Sequence, residues 1–141
     1  MLKLTIKEFK MKELKDYYLN KFRSTDVDVS QFNGVTFQDV YFDPDGEFIL
    51  FKVSDNEIYQ MYHYQECCEH VELDDIVGDV SDLIKCKVIH FEERTNGNDT
   101  EHGSETWTFY DIQTEKGSIN LKWHGDSNGH YSESVNLVRL K

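Results

Sequence analysis

No apolar run in this 141-residue chain approaches the roughly 18–20 residues that a bilayer-spanning helix needs. The segment Met1 to Phe22 is charged throughout and has no uninterrupted apolar stretch, so it is not expected to be a secretory signal. Cysteine is scarce as well. Three residues, with Cys67 and Cys68 adjacent, cannot make the disulfide framework of a small secreted domain, and a cytoplasmic compartment is expected. Proline occurs once, at Pro44, and no stretch is low in complexity, so the chain is expected to fold over 1–141 as a single domain. Between Val53 and Ile84 there is no lysine or arginine.

Carboxylates fill that gap. Asp55, Glu57, Glu66, Glu69, Glu72, Asp74, Asp75, Asp79 and Asp82 all fall within it, and the whole chain carries a net charge of −12. The distribution is uneven: residues 1–25 hold seven Lys/Arg against three Asp/Glu, so the remainder is strongly acidic. Such a body repels nucleic acid and attracts basic surfaces, whereas the plainer role of the same charge is solubility. Direct DNA binding is not expected, and Lys7, Lys10, Lys15 and Lys21 read as the solvent face of a helix.

The periodicity predicts that helix over 7–23, with Phe9, Leu14, Tyr17, Tyr18 and Phe22 recurring at spacings near three to four. From Val35 the pattern becomes strand-like. Asp43-Pro44-Asp45-Gly46 is a turn, with proline second and glycine fourth, and Asp55-Asn56 and Glu115-Lys116-Gly117 mark others. Asp75 to Ile84 reads as a loop with a short helical turn, and the polar stretch Thr95 to Ser104 as the flexible loop. Asp126 to Gly129 reads as a hairpin turn leading into a final strand, His130 to Leu140. The expected fold class is therefore α+β: one N-terminal helix (7–23) packed on a predominantly antiparallel, strongly curved sheet formed by a β-rich body at 35–140.

The densest group of chemistry-bearing residues is Tyr62-His63-Tyr64-Gln65-Glu66-Cys67-Cys68-Glu69-His70. Imidazole and thiolate are the preferred ligands of zinc, which takes four in a tetrahedron. His63, Cys67, Cys68 and His124 form the candidate set, with Asp126, Cys86 and Glu69 as alternatives for the fourth position. Against this stands the reading of the cysteines as small buried hydrophobes and of His63 as a surface strand residue. A cysteine-nucleophile enzyme centred on Cys67 or Cys68 would need a nearby base, and neighbouring carboxylates disfavour the thiolate such chemistry requires. The zinc-deaminase pattern is absent. Gly125-Asp126-Ser127 lies in a hairpin context rather than a nucleophile elbow, and Asp43 to Glu47 lacks the rest of a calcium loop.

Several segments carry a resemblance. They are His63 to Glu69, Asp75 to Asp79 with Asp82 to Ile84, Thr106 to Tyr110, Lys116-Gly117, and Trp123 to Val135. Over roughly 57–138 the chain resembles a family of small phage and prophage proteins of unassigned activity, and Cys-Cys-Glu and Ser-Asn-Gly-x-Tyr-Ser-Glu are the most specific parts. His130 and Lys85-Cys86 depart from the family pattern. Small acidic phage proteins include anti-CRISPR inhibitors, so the resemblance implies a non-enzymatic inhibitor in the cytoplasm of a bacterial host. Its target would be a basic protein surface of a type II CRISPR nuclease, whose nucleic-acid channels are positively charged. Glu66, Glu69, Glu72, Asp74, Asp75, Asp79 and Asp82 are the expected partner-binding residues, with a structural zinc beside them. A metal- or thiol-dependent enzyme at Cys67/Cys68 and a host-takeover module with another partner are the alternatives.

Overall fold

The structure, a computed structural model, describes residues 25–140. The helix expected over 7–23 lies outside the described residues. Within them the α+β expectation is corrected, because the architecture is almost entirely antiparallel β, in two sheets that are neither closed nor curled. Among the described residues the helical content is confined to two short 3-10 turns, Val29–Phe32 and Val80–Leu83.

One sheet has five strands in the order β1 (Thr25–Asp26), β9 (Asn136–Arg139), β4 (Glu57–Tyr62), β3 (Phe48–Ser54), β2 (Asp39–Phe42). The other has four, in the order β5 (His70–Val77), β8 (Ser118–Ser127), β7 (Gly103–Thr114), β6 (Val88–Thr100). Consecutive hairpins do produce meanders, as the turn signals imply, but two connections break the run. After Tyr62 the chain crosses to the second sheet, and after Ser127 it crosses back, so β9 pairs with β4 and β1 instead of with β8. The meander therefore divides into β2–β3–β4 and β6–β7–β8, and no single sheet grows large enough to curl.

Local chemistry explains the ends of these elements. At the β2–β3 turn, Gly46 N–H donates to Asp43 O at 3.0 Å and Glu47 N–H to the Asp43 carboxylate at 3.1 Å. Gly46 takes φ +72°, and a Cβ there would stand 2.9 Å from Leu73 O, so the position requires glycine twice over. Asp28 and Asp79 cap the two 3-10 turns by accepting from Ser30 and Ser81.

The two sheets share one core. Val40, Phe42, Ile49, Phe51, Tyr59 and Met61 from the first meet Val71, Phe91, Tyr110, Ile112, Ile119, Leu121 and Trp123 from the second. Phe32, on the first 3-10 turn, is the bridge. Its ring lies 5.0 Å from Phe37, 5.6 Å from Phe51, 4.9 Å from Tyr59 and 5.3 Å from Phe91. On the opposite face of the five-stranded sheet, Phe48, Leu50, Ile58, Tyr62 and Val138 form a second buried cluster.

Three local expectations also change. The stretch expected as a flexible loop, Thr95 to Ser104, is a regular hairpin, paired from Thr95↔Thr108 to Thr100↔Gly103. Its polarity reads as loop because residues 92–102 extend past the core and are solvated on both faces. Ile76 and Val77 belong to β5 rather than to a loop. The final strand starts at Asn136 rather than His130, because the preceding segment is anchored through buried Glu133 instead of entering a ladder.

Candidate functional site

The connection from β4 to β5 carries His63, Cys67, Cys68 and Glu69, and a buried carboxylate organises it. Glu69 is fully enclosed, and its oxygens accept from the amides of Glu66 and Cys67, each at 2.9 Å. They also accept from His63 Nε2 at 2.8 Å, while His63 Nδ1 faces Ser134 O at 2.6 Å. Burial pushes the Glu69 carboxyl up. The Glu66 amide, the His63 ring and the Cys67 amide outweigh it and hold the group at about 2. The result is a latch that ties this turn to the 132–135 segment.

In the structure the residues expected to hold zinc have other partners. Both ring nitrogens of His63 face oxygen acceptors, and Cys67 and Cys68 are joined to one another as a disulfide. His124 stands apart on β8, with Nε2 3.0 Å from Glu105 and its ring 4.2 Å from Trp107. Cys86 is buried as a free thiol. Among the described residues no group of three or more His, Cys, Asp or Glu is placed to hold a metal ion.

The acidic run separates into different environments. Glu69 is interior and offers no charge to a partner, which corrects its expected role. Glu66, Asp74 and Asp75 are exposed, and Glu72 and Asp82 are half-buried. Asp79 is exposed but occupied as a cap. Ser81 donates to it from both its hydroxyl and its amide, which lowers its pKa.

Strand alternation turns Glu72 and Asp75 onto the outer face of the four-stranded sheet, where the register sets residues in rows. One row runs Glu72, His124, Trp107, Asn96; the next Asp75, Lys122, Phe109, Arg94; the third Val77, Asn120, Asp111, Glu92. Trp107 and Phe109 are half-exposed, whereas their neighbours Thr108 and Tyr110 point into the core. Each outward ring carries a cation, with Lys122 Nζ 4.4 Å from the Trp107 centroid and Arg94 5.0 Å from that of Phe109. Arg94 also donates to Asp111 at 2.6 Å, and Asn120 donates to the same carboxylate. The Arg94 hydrogen bond is the main cause of the lowered Asp111 pKa.

This aromatic face was not among the residues singled out from the sequence. Its signal was present in Trp107-Thr108-Phe109-Tyr110, where alternation on a strand must send Trp107 and Phe109 outward if Tyr110 is core. A second buried carboxylate was also missed. Glu133 accepts from Ser104 Oγ and Ser127 Oγ, each at 2.5 Å, and from Thr106 Oγ1 at 2.8 Å. Burial raises its pKa, and the three hydroxyls more than offset that.

Over residues 34–137 the chain matches the family described as Domain of unknown function (DUF7448). It belongs to that family, one without an assigned activity, as the resemblance read from the sequence implied in its coarser form. No curated protein and no solved structure matches the chain. Among the described residues no helix is long and apolar enough to cross a membrane.

Proposed function

We propose that this DUF7448 chain is a binding protein that docks a basic protein surface with the outer face of its four-stranded sheet. The observation that carries this reading is the composition of that face. Two outward aromatic rings, Trp107 and Phe109, sit centrally, and Glu72, Asp75, Glu92, Glu105 and Asp111 surround them. Buried aromatic anchors within a polar rim are the pattern that concentrates binding energy at interfaces. The surplus of carboxylates over Lys122 and Arg94 selects a cationic partner and steers its approach. Asp74, at the bulge between Leu73 and Asp75, adds a further exposed carboxylate on the edge strand β5.

In its sharper form, the partner is a type II CRISPR nuclease and the protein is a phage-encoded inhibitor that occupies the cationic surface meant for nucleic acid. The phage-family resemblance and the net charge of −12 support that form. The test is DNA cleavage by such a nuclease, with the protein titrated in before target DNA. Inhibition that saturates near equimolar and weakens steeply with salt is expected. No inhibition of nucleases from several hosts would remove the sharper reading. Salt-insensitive binding to any partner found would remove the electrostatic one as well.

A further inference from the structure

The two surface cysteines have no part in that face, yet the fold presents them together. We propose that Cys67 and Cys68 are a reversible oxidation site whose oxidant is a low-molecular-weight disulfide of the glutathione class. The two sulfurs are bonded to one another, both residues are exposed, and the third cysteine, Cys86, is buried and free. The backbone beside the pair is fixed from two directions. Cys67 N–H donates to the Glu69 carboxylate at 2.9 Å, and Gln65 Nε2 donates to Cys67 O at 3.2 Å. Both contacts are made to the Cys67 backbone, and neither uses a cysteine sulfur. In a reducing compartment a disulfide of this kind is expected to cycle rather than persist.

The chemistry is two successive exchanges. The thiolate of one cysteine attacks a sulfur of glutathione disulfide, forming a mixed disulfide and releasing one glutathione thiolate. The neighbouring thiolate then attacks the protein sulfur of that mixed disulfide, closing the Cys67–Cys68 bond and releasing the second glutathione. The protein loses two electrons and two protons, and one glutathione disulfide becomes two glutathione thiols. The reverse sequence regenerates the dithiol.

The experiment uses the full chain, equilibrated in glutathione buffers of graded ratio from both the reduced and the oxidised side. It is then quenched in acid, unfolded, alkylated and weighed intact. Two species are expected, one with three alkyl groups and one with a single alkyl group on Cys86, interconverting in one two-electron step to the same ratio from either side. Cys86→Ser should leave that step in place. Cys68→Ser should stop at a glutathione adduct on Cys67. Three alkyl groups at every ratio would overturn the proposal, as would glutathione adducts or covalent dimers accumulating in the unsubstituted protein in place of the single-alkyl species.

Discussion

Replacing Phe32 by alanine should separate the two sheets energetically more than any other single truncation on the first 3-10 turn. The ring is 1% exposed and touches Phe37, Phe51 and Tyr59 on one side and Phe91 on the other, at centroid distances from 4.9 to 5.6 Å. Two of these contacts are near perpendicular, at 81° and 83°, the edge-to-face geometry that aromatic quadrupoles favour. Burial loss and the residual cavity for a core Phe→Ala change amount to about 3–5 kcal/mol. The walls of this cavity belong to different sheets and cannot collapse together, so the upper half of that range applies. For a chain of this length each kcal/mol shifts the melting temperature by roughly 3–4 °C, so a fall of about 12–20 °C is expected. Urea denaturation followed by far-UV circular dichroism and by tryptophan emission should give the same loss in both signals, because Trp123 lies in the shared core. A loss below about 1 kcal/mol would refute the bridging role. So would a transition in which the two signals no longer coincide in the unsubstituted protein, since the sheets would then not share one cooperative core.

Glu69→Gln bears on acid stability. The folded carboxyl titrates at about 2 against an ordinary 4.5, so its contribution is present above 4.5 and disappears as pH falls through 2. Urea midpoints measured across that window should lose up to about one proton's worth of slope in the variant, and an unchanged slope would show that the latch is not formed. Gly103→Ala should destabilise by at least about 2 kcal/mol, since its Cβ would fall 2.0 Å from Ser127 O; thermal melting checks it, and a neutral result would mean the β7–β8 approach is looser. Trp107→Ala should cost about 1 kcal/mol in stability but weaken partner binding by roughly thirtyfold, read by calorimetric titration; equal small effects on both would remove this ring from the interface. Elemental analysis of the purified, reduced chain tests the zinc expected at His63, Cys67, Cys68 and His124: one zinc per chain would mean that His63 gives up its contacts to Ser134 O and Glu69, and none would leave those contacts in place.

Elements with strong local signals were legible in the sequence. The turns at Asp43–Gly46, Asp55-Asn56 and Glu115–Gly117 follow from turn chemistry, and all appear between consecutive strands in the structure. Sheet membership was not legible. Nothing local in Glu57–Tyr62 says that its other neighbour is Asn136–Arg139, because that choice is made by which apolar faces complete the shared core. The stretch Thr95 to Ser104 reads as a loop for a related reason. Backbone ladders need no apolar side chains, and beyond the edge of a core a strand and a loop have the same composition. At the site, the cluster around Cys67 was visible as a cluster, but its use was not. Acid and imidazole spacing cannot show whether Glu69 faces solvent or folds inward onto two amides.

The placement of β9 has a consequence for how the molecule is made. It lies between β1 and β4, joining Thr25 to Arg139 and Tyr59 to Arg139 across most of the chain. The hairpins β2–β3–β4 and β6–β7–β8 can form as they leave the ribosome, since each closes over a short loop. The five-stranded sheet cannot, because β9, the strand between β1 and β4, is synthesised after the other four. Until Asn136–Arg139 arrives, the free edge of β4 is an unpaired template open to other chains. Solubility of the nascent protein therefore depends on how quickly Asn136–Arg139 find their slot, and a ribosome stalled shortly before Asn136 should yield an aggregation-prone chain from an otherwise sound sequence.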